Sequence, residues 1–66
     1  MQTIPIEEVQ VGDVINGKKV VEVLHRLDVM VRKKYVRLIL EGGRDIVDGY
    51  MNQDKVMVER QAVLNK

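Results

Sequence analysis

Val14-Ile15-Asn16-Gly17-Lys18-Lys19-Val20-Val21 is the stretch on which the fold turns. Asn16-Gly17 stands between apolar, β-branched flanks. A type I′ hairpin turn needs positive φ at both central residues, and Asn and Gly meet that need at the least cost. The expected arrangement is a short strand ending at Ile15 and a longer one from Lys18 to about Leu27. Upstream, Gly12-Asp13 reads as a turn. Pro5 favours an extended Ile4, and Ile6-Glu7-Glu8-Val9 suits a single helical turn with acids near its start.

Downstream, strict alternation puts Val21, Val23, His25 and Leu27 on one face of the long strand and Val20, Glu22, Leu24 and Arg26 on the other. Apolar residues on both faces mark a strand that is central, bent or covered twice. Residues 28–34 read equally as strand or as basic loop. Then Val36, Leu38 and Leu40 alternate with Tyr35, Arg37, Ile39 and Glu41, and Gly42-Gly43 closes that strand. A fourth strand is expected over 45–50 and a fifth over 55–60, with 61–66 as a tail. The expected core is Val14, Val21, Val23, Val36, Leu38, Leu40, Val56 and Val58.

Composition supports the pattern. Of 66 residues, 13 are Val, 5 Ile and 1 Thr. These side chains lose χ1 freedom in helices and fit strands well. Phe and Trp are absent, so the core is one of Val, Leu, Ile and Met. The fold class is therefore all-β: a small barrel of five or six short antiparallel strands, with at most one or two helical turns. The turn signals fit a closed or nearly closed barrel, and closure would remove aggregation-prone edges. The length admits one domain, 1–66 with a core over about 4–60, burying only about 60% of its unfolded surface.

Several function classes drop out. Cys is absent and His25 is the lone histidine, which excludes disulfides, thiolate zinc sites and His-rich metal sites. Ser is absent too, so no Ser or Cys triad can be assembled within the chain. His25 reads as a surface or half-buried imidazole. Glu41, Asp45, Asp48 and Asp54 lack calcium-loop spacing and read as solvated acids. No phosphate-binding glycine motif occurs. Neither a catalytic site, a metal site nor a cofactor is expected. Met1-Gln2-Thr3 lacks the basic and apolar regions of a secretory signal, and no apolar run is long enough to span a membrane. A cytoplasmic location is the expectation.

Charge is more informative in its distribution than in its sum of +1. Residues 1–17 carry −3, residues 18–37 carry +5 and residues 38–60 carry −2. Arg26, Arg32, Lys33, Lys34 and Arg37, with Tyr35 among them, are the candidate nucleic-acid or anion-binding residues. The plainer account is a solvated basic loop whose lysines deter edge pairing. Val29, Met30 and Met51 are the candidate protein-interface residues, because Met adapts to varied partners; Met as core filler is the competing account.

Val11-Gly12-Asp13-Val14-Ile15 with Gly17 and Val20-Val21-Glu22-Val23 resembles the opening of small SH3-like β-barrels. Val36 to Arg44 and Val56 to Arg60 look like the end of such a barrel. Over residues 4–60 the chain is similar to small accessory proteins of bacteriophages, particularly actinobacterial ones. The resemblance implies a compact, non-enzymatic binding module acting on a host or self protein, in the host cytoplasm if phage-encoded. Two alternatives stand beside it: a nucleic-acid binder using the basic 26–37 block, and an oligomeric sponge for small anionic ligands. A homo-oligomer is a further expectation, since so small a core is marginal alone.

Overall fold

The computed structural model describes residues 1–59, and all of its regular structure is strand apart from one 3-10 turn. The strands are β1 (Gln2–Pro5), β2 (Val14–Ile15), β3 (Lys18–Asp28), β4 (Lys33–Leu40), β5 (Ile46–Tyr50) and β6 (Lys55–Val58), with the 3-10 turn at Ile6–Glu8. The all-β reading holds. The tail expected over 61–66, and the end of the last strand at Arg60, lie outside the described residues.

Asn16 and Gly17 adopt φ of 52° and 79°, as the turn chemistry requires, and Ile15 pairs with Lys18 across them. The ambiguous 28–34 segment resolves into both alternatives. Asp28 ends β3, residues 29–32 turn, and Lys33 begins β4. Arg32 sits in the left-handed region at φ 56°. The Asp28 carboxylate accepts the Met30 backbone N–H at 3.0 Å, a local bond that holds such a turn.

Sheet order is β2-β3-β4-β5 in one sheet and β1-β6 in the other, antiparallel throughout. β1 was not expected as a strand. Its residues are too few to show a period, and its partner lies some 50 positions away, Gln2 against Val58 and Ile4 against Val56. The Ile6 N–H extends the ladder to the Asp54 carbonyl at 3.0 Å.

Of the closed and nearly closed forms expected, the closed one is corrected: the strands form two sheets. Among the described residues the sheets meet through an isolated bridge, where Val14 and Glu59 exchange backbone hydrogen bonds of 2.9 and 2.8 Å. On the other side β1 and β5 do not pair. Pro5 has no N–H to offer a further strand, and the 3-10 turn carries the chain away. Side chains fill that gap. Ile6 is fully buried and lies over Gly49, where an added Cβ would sit 2.8 Å from Ile6 Cδ1 and 3.0 Å from Asp54 Cβ.

The core consists of Ile4, Ile6, Val9, Ile15, Val20, Val36, Leu38, Leu40 and Val58. Four of the eight expected core residues, Val36, Leu38, Leu40 and Val58, are in it. Val23 and Val56 pack against it half-buried, and Val14 is half-buried. Val21 is 48% exposed, contrary to expectation, while Val20 is buried. The cause is a β-bulge: Val20 pairs with Leu40 and Glu22 with Ile39, so Val21 is the extra residue. A bulge shifts the alternation by one and turns the following residues over.

Candidate binding surface

The long strands extend past the core. β3 and β4 are covered by Ile4, Ile6 and Val58 only near their base, and the turn between them stands clear. There Leu27, Val29, Met30 and Val31 are 57%, 71%, 89% and 52% exposed. Four consecutive or near-consecutive apolar side chains in water form a patch of the kind that marks contact sites. Arg26, Arg32, Lys33 and Lys34 are exposed around it. The end of the hairpin is therefore an apolar knob set among cations, with Asp28 the one acid in the segment 26–34.

Strand geometry divides the basic block. Register sets Arg26 opposite Tyr35 and Tyr35 opposite Tyr50, forming one row across three strands. The next row is Leu24, Arg37 and Asp48. Lys33 shares this face, and its Nζ lies 5.4 Å from the Tyr50 ring centre; Arg37 lies 5.7 Å from that of Tyr35. Lys34 falls on the opposite face, opposite Leu27. Arg32 belongs to the turn. The six expected nucleic-acid or anion residues thus occupy two faces and a loop.

Arg37 is held by a side chain of the neighbouring strand β5. Its Nε and Nη2 donate to the two oxygens of Asp48 at 2.9 and 3.1 Å. This hydrogen bonding, followed by the charge of Asp48 and that of Tyr35, raises the guanidinium above its ordinary value. The pair is exposed, so solvent screens it and it adds little to stability. An open concavity of about 530 Å³ lies over this face, lined in part by Tyr35, Tyr50 and Arg37. Asp28, Asp48 and Asp54 line it too, which offsets the nearby cations.

Of the expected interface residues, Val29 and Met30 stand at the turn. Met51 is half-buried, packs against the core and donates its N–H to the Lys34 carbonyl at 3.0 Å. Tyr50 and Asp48 were missed as members of the site because only cross-strand register brings them beside Tyr35 and Arg37. Asp45 pairs with Lys18 instead. His25 is exposed. Among the described residues no His, Cys, Asp or Glu cluster is arranged to hold a metal, and no helix is long and apolar enough to cross a membrane.

Comparison with known proteins returns nothing: no protein-family model, no curated protein and no solved structure matches the chain.

Proposed function

We propose that the chain is a non-enzymatic binding module that inserts the end of the β3–β4 hairpin into a protein partner. One observation carries this reading: Leu27 at the end of β3 and Val29, Met30 and Val31 in the turn after it are all exposed. Fully burying each contributes about 1.5–3 kcal/mol, a sum that makes such a turn an anchor for association. The complementary partner is a protein groove, apolar at its floor and acidic at its rim, where Arg26, Arg32, Lys33 and Lys34 would speed encounter. Within the same proposal the fold is an open SH3-like small barrel, the chain an accessory protein of bacteriophage type, and its workplace the host cytoplasm. The Gly12-Asp13 turn, the Asn16-Gly17 hairpin and the order of short antiparallel strands support the first of these.

The test is capture from a host lysate, with and without nuclease, using the parent, Met30→Glu and Lys33→Ala/Lys34→Ala. The expected result is a nuclease-resistant protein that Met30→Glu loses and the double variant retains with a slower on-rate. A captured protein held equally by Met30→Glu sinks the proposal.

A second reading is single-strand nucleic-acid binding on the outer face. The Tyr35–Tyr50 row with Lys33 beside it supports that reading, since bases stack on aromatic rings next to cations. Titration of labelled single strands at two salt concentrations distinguishes the two. Phosphate contacts predict a slope of about −0.7 per neutralised phosphate, whereas an apolar anchor predicts almost none.

A further inference from the structure

The apolar turn is one unpartnered feature of the hairpin; the outer edge of β3 is another, and it does not depend on the reading above. β2 pairs with β3 at Lys18 and Lys19. Gly12 then donates to the Val20 carbonyl at 2.9 Å, and Val20 donates to the Asp13 carbonyl at 2.7 Å. Beyond Val20, no strand among the described residues pairs with β3 on that side. Residues 21–28 therefore form a long sheet edge.

The direction of each backbone group follows from the hydrogen bonds of β4. Met51 donates to the Lys34 carbonyl and Leu40 to the Asp45 carbonyl, so the even-numbered residues of β4 face β5. The odd-numbered residues then face β3, where Tyr35, Arg37 and Ile39 oppose Arg26, Leu24 and Glu22. Successive residues of a strand aim their backbone groups to opposite sides. Val23, His25 and Leu27 accordingly aim theirs at the open edge. Such an edge is a template for a further strand.

We infer that this edge pairs with the same edge of a second copy, antiparallel about a two-fold axis at Leu24. In that register Val23 opposes the partner's His25 as a hydrogen-bonded pair, and the reverse. Glu22 opposes the partner's Arg26 twice over, and neither residue has an ion-pair partner among the described residues. Leu24 meets its own copy. The neighbouring registers are poorer. An axis at His25 sets Glu22 against Asp28, and an axis at Arg26 sets that arginine against itself; like charges directly opposite are destabilising. The Leu24 axis also uses residues 22–26, inside the run left open between the Gly12 contact and the turn and clear of the bulge at Val21. Isologous pairing of this kind closes at the dimer and leaves both apolar turns at its ends.

The experiment is sedimentation equilibrium over a concentration series, on the parent and charge variants. The parent is expected as a monomer–dimer equilibrium. Glu22→Arg and Arg26→Glu should each raise the dissociation constant roughly tenfold by replacing attractive pairs with repulsive ones. Glu22→Arg/Arg26→Glu, which restores opposite charges, should bring the dimer back. Both positions are exposed, so the fold survives, as unchanged melting of the variants would verify. Leu24→Cys supplies a register check in a chain without cysteine. Residues opposed without mutual hydrogen bonds stand about 4.5 Å apart at Cα, within disulfide range. Mild oxidation should cross-link Leu24→Cys and leave Glu22→Cys without a disulfide, because position 22 opposes 26 of the second copy. A parent that stays monomeric at every concentration overturns the inference, as does a charge-swapped double variant that remains dissociated.

Discussion

β3 and β4 are two continuous strands whose two ends live in different solvents. At the base, Val20, Leu38 and Leu40 are buried under Ile4, Ile6 and Val58. At the far end, Leu27, Val29 and Met30 are no less apolar, yet more than half exposed. The side chains are of the same kind; what differs is the cover. β1, β6 and the 3-10 turn reach only the base, and β5 stops at Tyr50. Apolar character alone therefore does not decide burial, because a hairpin buries a face only where another layer meets it. Exposed apolar residues beyond the reach of that layer are available for a partner at no cost to the core.

The comparison breaks most readily at the base. Leu38 is fully buried and opposes Val23 and Val47 in adjacent strands. Leu38→Ala is expected to cost about 2–5 kcal/mol, enough to unfold a marginal domain; chemical denaturation would measure it. Gly49→Ala comes next. Its Cβ would meet Ile6 Cδ1 at 2.8 Å inside a filled core, and overpacking of this kind costs about 1–3 kcal/mol. A melt unchanged from the parent would mean that Ile6 does not seal the gap between the sheets. Gly17→Ala is smaller. Its φ of 79° strains a side chain by about 1–2 kcal/mol, read as a lower midpoint with an unchanged spectrum. Met30→Glu should leave stability within about 0.5 kcal/mol while abolishing partner capture. If Met30→Glu melted as early as Leu38→Ala, the two ends would not differ as described.

The same contrast separates what was legible in the sequence from what was not. Hairpin chemistry at Asn16-Gly17 and the alternation of Val36, Leu38 and Leu40 are local, and both hold in the structure. The β3 facing was misjudged for Val20 and Val21 because one bulge residue inverts a period of two, and nothing in the run of valines announces it. The basic block was legible as a block. Its division between faces was not, since adjacent residues such as Lys33 and Lys34 point opposite ways once they are in a strand. Tyr50 and Asp48 joined the site through register alone.

Composition, β-branched density and turn residues determined that this chain forms short antiparallel strands joined by tight turns. These are near-neighbour preferences that each residue carries with it. Tertiary structure alone decided that β1 pairs with β6 and that, among the described residues, Ile6 rather than a further strand seals the sheet and no strand covers the outer edge of β3 beyond Val20. Those outcomes depend on contacts between residues tens of positions apart, such as Ile4 with Val56 and Ile6 with Gly49. Their energies arise only when the whole chain has closed around them, so no single segment contains the information that selects them.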